Sequence, residues 1–177
     1  MGYTPAYNAA FAKPLLNQLI AIIQRDQQAA IQIVNPSLVP IEEFHKGPAM
    51  RTALPWLGLA AESTKFDALA PDVRKSLTRV SLALDVGQFD QDLAQDNAQD
   101  YARVLDMVIT TAPLSDFTLP LPVVHVSVPS GTTSPSAPGS VNEVFVEAHE
   151  YSLAKLNEVQ VPVLRVTLQV LFYLQET

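Results

Sequence analysis

Leu77-Thr78-Arg79-Val80-Ser81-Leu82-Ala83-Leu84-Asp85-Val86 is the stretch on which the fold turns. Val80, Leu82, Leu84 and Val86 alternate with Arg79, Ser81, Ala83 and Asp85, the period of two expected of a strand with one face buried and one face wet. Residues 163–173 repeat the pattern, with Leu164, Val166, Leu168, Val170 and Phe172 on one side. Residues 123–128 form a β-branched run in which Val124, Val126 and Val128 alternate with His125 and Ser127. Two shorter apolar runs, 53–61 and 144–148, read as further strands, the first despite Pro55 near its start. Trp56 and Phe172 are assigned to the core because each sits in such a run. Between these segments, Phe44-His45-Lys46-Gly47-Pro48 reads as a turn, and residues 67–75, with Pro71, read as irregular.

Outside the strands the period changes. From Pro14 onward Leu16, Leu19, Ile20, Ile23, Ala30 and Ile31 recur every three or four residues, which predicts an amphipathic helix starting at Pro14. Asn35-Pro36 ends it near Val34, because the residue before a proline is driven out of helical geometry. A second helix is predicted over residues 92–109, capped by Asp90 or Asp92, with Tyr101, Val104, Leu105 and Val108 as its buried stripe and Pro113 closing it. Two helices interspersed with strands predict an α+β domain: a mixed or antiparallel sheet with both helices packed on one face. Residues 1–13, carrying Tyr3, Tyr7 and Phe11 among small residues, are expected to be an arm ahead of a single domain over 14–177. Residues 129–140 are almost wholly Pro, Ser, Gly, Thr and Ala, which predicts a long loop inserted between strands, with Ser130, Gly131, Pro135 and Pro138 available to a neighbouring subunit.

The 177 residues suffice for one domain with a real core. Of these, 48% are apolar and 16% charged, a balance that suggests apolar surface covered by other subunits. Eighteen acidic against eleven basic residues leave a net charge of −7, the wrong sign for gripping phosphates. The absence of cysteine removes disulfides, thiolate zinc sites and cysteine nucleophiles. The longest apolar stretch, residues 15–23, is interrupted by Asn17 and Gln18 and is too short to span a bilayer, so a soluble protein without membrane partners is expected. No cationic flank or signal-like core follows Met1.

Motifs for chemistry are missing. The six glycines make neither GxGxxG nor a P-loop, and no GxSxG elbow occurs. His149-Glu150-Tyr151-Ser152-Leu153 starts like a zinc-protease helix but has Leu153 where the second histidine belongs. His45, His125 and His149 are read as polar-face residues rather than as metal ligands. Asp85, Asp90, Asp92, Asp96 and Asp100 fail as a calcium loop, since counting from Asp90 the fifth and sixth positions are Ala94 and Gln95. On the second helix Asp92, Asp96 and Asp100 fall one turn apart, which predicts an acidic face. No catalytic residue, cofactor or metal is expected. A small-molecule or metal-dependent enzyme is the alternative kept from a different class.

The leading helix, the proline-flanked Leu54-Pro55-Trp56-Leu57, the alternating Thr78 to Val86, the following helix with Tyr101, Val104 and Leu105, and the terminal strand together resemble the tail-terminator proteins of tailed bacteriophages. That resemblance implies a structural virion protein, assembled in the host cytoplasm, whose sixfold homo-oligomeric ring caps the tail tube and joins it to neck and connector proteins. Tail sheath would be a further partner in a contractile tail. It also implies no catalytic residues. DNA would pass through the lumen without specific binding, and the acidic face of Asp92, Asp96 and Asp100 would line that path or a docking surface. The aromatic arm and residues 129–140 depart from the shorter members of the family. The alternative within the same class is a neighbouring neck, head–tail connector or tail-completion ring.

Overall fold

The computed structural model describes residues 8–46, 54–70, 73–87, 91–117, 140–156 and 161–176. In chain order these form α1 (Asn8–Val34), β1 (Glu43–Lys46), β2 (Trp56–Ala70), β3 (Val73–Val86), α2 (Gln91–Thr111), a short 3-10 turn (Leu114–Phe117), β4 (Ser140–Leu156) and β5 (Val161–Glu176). The strands make one five-stranded sheet in the order β1-β2-β3-β5-β4. All neighbours are antiparallel except β1, which runs parallel to β2. This is the expected α+β architecture of a mixed sheet with two helices.

The alternation in β3 is what makes the sheet two-faced. Val80, Leu82 and Leu84 are fully buried and lie opposite Val170, Leu168 and Val166 of β5, which are equally buried. Leu57 and Leu59 of β2 extend the same face. Against it pack Leu16, Leu19, Ile23, Ala30 and Ile31 of α1 and Tyr101, Val104, Leu105 and Val108 of α2, all of them in the stripes predicted from spacing, together with Leu15, which the α1 stripe did not include. Removing each such side chain from water is worth roughly 1.5–3 kcal/mol. Phe117 closes the layer by meeting Phe172 edge-on, with ring centroids 5.6 Å apart. The two helices run antiparallel to each other: Asn35 beyond the end of α1 donates to Asp100 at 2.8 Å, whereas Gln18 and Arg25 reach Asp116, which follows α2, at 2.9 and 2.7 Å.

Several local expectations are corrected. α1 begins at Asn8 rather than at Pro14, so the second half of the expected arm, Phe11 included, belongs to the helix. The alanines at 9, 10 and 12 are strong helix formers, and Pro14 forfeits one backbone bond without ending the run. The expected turn at Phe44 is a strand, β1, pairing Phe44 with Leu57 and His45 with Gly58. Four residues are too few to show a period, and parallel pairing to β2 supplies their hydrogen bonds. The strand expected over 53–61 starts at Trp56, after the cis Leu54–Pro55 bond, and runs to Ala70. The segment 67–75, expected to be irregular, joins β2 to β3 with Asp67 opposite Lys75 and Ala68 opposite Arg74. Its sequence, Asp67 to Lys75 with Pro71 inside it, shows no period of two, so the pairing comes from the partner strand and not from local pattern. Likewise β4 extends over Ser140–Leu156, well past the expected 144–148. Residues 123–128, and the insertion ahead of Ser140, lie outside the described residues.

One buried polar contact joins α1 to the segment leading into the sheet. Gln27, 6% exposed, donates from Nε2 to the Ile41 carbonyl at 2.9 Å and accepts the Ile41 N–H on Oε1, also at 2.9 Å. The amide thereby stands in for a strand neighbour that Ile41 lacks. Gln27→Leu keeps the volume but strands two buried backbone groups, so it should lower unfolding free energy by roughly 2–4 kcal/mol. The exposed Gln24→Leu should change it by less than about 0.5 kcal/mol. Urea unfolding followed by circular dichroism checks the difference.

Candidate assembly surfaces

The helices cover one face of the sheet, and the other face carries the side chains that the pleat turns away from them. Cross-strand register sets them in rows. Glu43, Trp56, Asp85, Arg165 and Ser152 form one row across all five strands, and His45, Gly58, Ala83, Thr167 and Glu150 form the next. Trp56 is buried as expected, but on this outer face and not among the helices. It stacks on His45 with centroids 5.4 Å apart, and its indole lies over Gly58, where an added Cβ would come within 2.6 Å of the ring. Glycine is required there to let the indole lie flat against the strand.

The centre of the first row is an ion pair. Arg165 donates from Nε and Nη2 to the two carboxylate oxygens of Asp85 at 2.6 and 2.9 Å, the fork-to-fork geometry in which guanidinium and carboxylate fit best. The Asp85 side chain is fully buried and that of Arg165 is 27% exposed. These bonds hold the Arg165 guanidinium above its ordinary value, against the opposing effect of burial. Further along the face Arg79 pairs with Glu147 at 2.9 Å, but both side chains are 43% exposed, so this pair contributes about 0–1 kcal/mol. Arg79 Nε and Gln169 Oε1 are enclosed without a hydrogen-bond partner among the described residues, leaving capacity for water or a neighbouring subunit. Phe145 is 48% exposed on this face opposite Leu171. The outer edge of β4 has no strand beside it among the described residues.

A cleft opens at the end of the molecule where α1 finishes. Leu38, Val39, Leu54 and Pro55 form apolar walls, and Asn97 and Tyr101 of α2 add polar atoms, around a cavity of about 90 Å³. The Tyr101 hydroxyl donates to the Val39 carbonyl at 2.6 Å, fixing the loop after α1 against α2. Burial pushes this phenol up to about 12, so it remains a donor throughout the physiological range. Of the walls, Val39 is 58% exposed.

The residues singled out by sequence fall differently. Asp92 and Asp96 lie exposed on α2, as the spacing predicts. Asp100 does not share their setting, because it is half-buried and accepts the Asn35 amide. Its position one turn further carries it over the end of α1. Tyr3, Tyr7, Ser130, Gly131, Pro135 and Pro138 lie outside the described residues. His45 and His149 sit on opposite edge strands, roughly 19 Å apart across the sheet, and cannot share an ion. His149 instead approaches Asp106 of α2 at 4.0 Å. Among the described residues there is no cluster of three or more potential metal ligands, and no helix long and apolar enough to cross a membrane.

The Asp85–Arg165 pair escaped the sequence reading, which placed Asp85 in an acidic run. Its signal was Arg165 at an outward position of the strand that pairs with β3. Neither protein-family models nor curated proteins gave a match to this sequence. What the chain does must therefore be inferred from its own surfaces.

Arg165→Met removes the bidentate guanidinium from the buried Asp85 carboxylate and should destabilise the chain by up to roughly 3–5 kcal/mol. Asp85→Leu combined with Arg165→Met removes both charges and should recover most of that loss, since a buried pair replaced whole by apolar groups is close to neutral. Denaturant midpoints of the single and double variants give the comparison.

Proposed function

We propose that this chain is a structural ring subunit of a tailed bacteriophage, a tail-terminator protein that caps the tail tube and joins it to the neck. The supporting observation is that both helices pack on one face of the sheet, while the other face presents the exposed Phe145, and that among the described residues no strand lies beside β4 and Arg79 Nε and Gln169 Oε1 have no hydrogen-bond partner. Such a layer is suited to burial against copies of itself or against stacked rings. The net charge of −7 suits a ring through which DNA slides, because a negative wall repels phosphate.

Particles assembled without the protein distinguish the positions in the stack. Over-long tails unattached to heads are the expected result. Filled heads lacking tails would move the protein to a neck ring, and particles of normal tail length and infectivity would overturn a structural role altogether.

Asp92 and Asp96, both exposed, are proposed to contribute to the negative wall or a docking surface, with the half-buried Asp100 contributing less. Asp92→Asn with Asp96→Asn should leave a soluble, folded protein that lowers infectious yield several-fold. Aggregation of the double variant would indicate solubility as their role, and normal yield would remove them from the working surface. Plaque counts beside electron micrographs of the particles provide the measurement.

A further inference from the structure

The first described residue of α1 and the cleft beyond its end are separated by the length of the helix. Its 27 residues measure about 40 Å at about 1.5 Å per residue. Tyr3 precedes Asn8 by five residues, which reach at most roughly 18 Å when fully extended. Tyr3 therefore cannot reach the cleft of its own chain.

The cleft nevertheless has the chemistry of a tyrosine socket. Leu38, Leu54 and Pro55 offer apolar walls to a ring, Asn97 offers a hydrogen-bonding side chain to a hydroxyl, and the volume of about 90 Å³ suits one side chain rather than a metabolite. Docking there would also cover Val39. Thr4-Pro5 directly after Tyr3 biases the backbone toward extension, which lowers the ordering cost of an arm that must reach outward.

We infer that Tyr3 of one subunit docks in the cleft between Leu54-Pro55 and α2 of a neighbouring copy. Donor and socket lie at opposite ends of α1, so the contact can run head-to-tail, each subunit giving an arm to one neighbour and receiving one from another, in place of a reciprocal two-fold exchange. Such a head-to-tail contact closes into a ring when its rotation closes and otherwise propagates. The inference thus rests on the ring assembly proposed above and supplies one of its contacts.

The chain contains no cysteine, so introduced thiols report without background. Thr4→Cys, which keeps Tyr3, is mixed with Val39→Cys in the full-length protein and mildly oxidised. Dimers on a non-reducing gel should form at least tenfold faster than in a mixture of Thr4→Cys with Glu150→Cys, where the second thiol is exposed on β4 away from the cleft. Adding Tyr3→Ser to the Thr4→Cys chain should remove the advantage. A rate equal to the control, or one indifferent to Tyr3→Ser, overturns the inference, as does a double variant that closes its disulfide within one chain at high dilution. The ring is scored separately by light scattering and by the ladder of the cross-linked double variant. Hexamers without enhanced cross-linking retain the ring and discard the arm contact. Enhanced cross-linking in dimers or open chains retains the arm contact and discards the hexamer.

Discussion

The antiparallel pairing of β3 with β5 sits at the centre of the sheet, and everything else is placed by its register. Leu82 lies opposite Leu168, with Val80 and Leu84 facing Val170 and Val166 on either side. Because side chains alternate, a slip of one residue would send this apolar set to the outer face and bring Arg79, Ser81 and Asp85 under the helices. Burial of that set on one side therefore selects a single register. The same register brings Asp85 opposite Arg165 on the other side, so the outer ion pair follows from the inner packing.

With the central pair set, β2 and β4 attach to its two outer edges and the helices settle on the apolar face. The helix layer is then tied by polar contacts at its ends: Asn35 to Asp100 at one, Gln18 and Arg25 to Asp116 at the other. Gln27 and Tyr101 hold the backbone that follows α1 through Ile41 and Val39. Tyr101 and Val39 both line the cleft, which belongs to no single element. It arises where the loop after α1, the start of β2, the end of β3 and the middle of α2 converge.

The outer face obeys different physics. Its ion pair, aromatic stack and small residues mix polar and apolar groups. A buried bidentate pair contributes less to net stability than to specificity, since the desolvation of both ions offsets most of their attraction. Such a surface is unsuited to a dry core, yet it can match a second surface of defined polarity, as expected for a subunit whose work is to meet neighbours in fixed orientation. The proposed assembly would place rigid sheet faces and edges at the contacts, with the aromatic arm adding reach along the length of α1.

How much was legible in the chain itself can be judged element by element. Alternation in residues 77–86 and 163–173, and three- and four-residue spacing before Asn35 and after Asp92, by themselves determined the α+β class, the buried face of β3 and β5 and the inner stripe of both helices. These follow from local periodicity, because burying one side of a strand or helix imposes a repeat that neighbouring residues must satisfy. Only the tertiary structure decided the rest. β1 and the outer half of the β2–β3 hairpin exist because a partner strand bonds their backbones, and backbone bonding leaves no repeat in polar residues. Trp56 reads as an ordinary core aromatic until its strand is placed, whereupon the pleat turns it to the outer face over Gly58. Asp85 and Arg165 lie far apart in sequence and meet through register alone. Asp100 is half-buried because α1 ends beside it, and the cleft formed because four distant segments converge, a juxtaposition that no window along the chain contains.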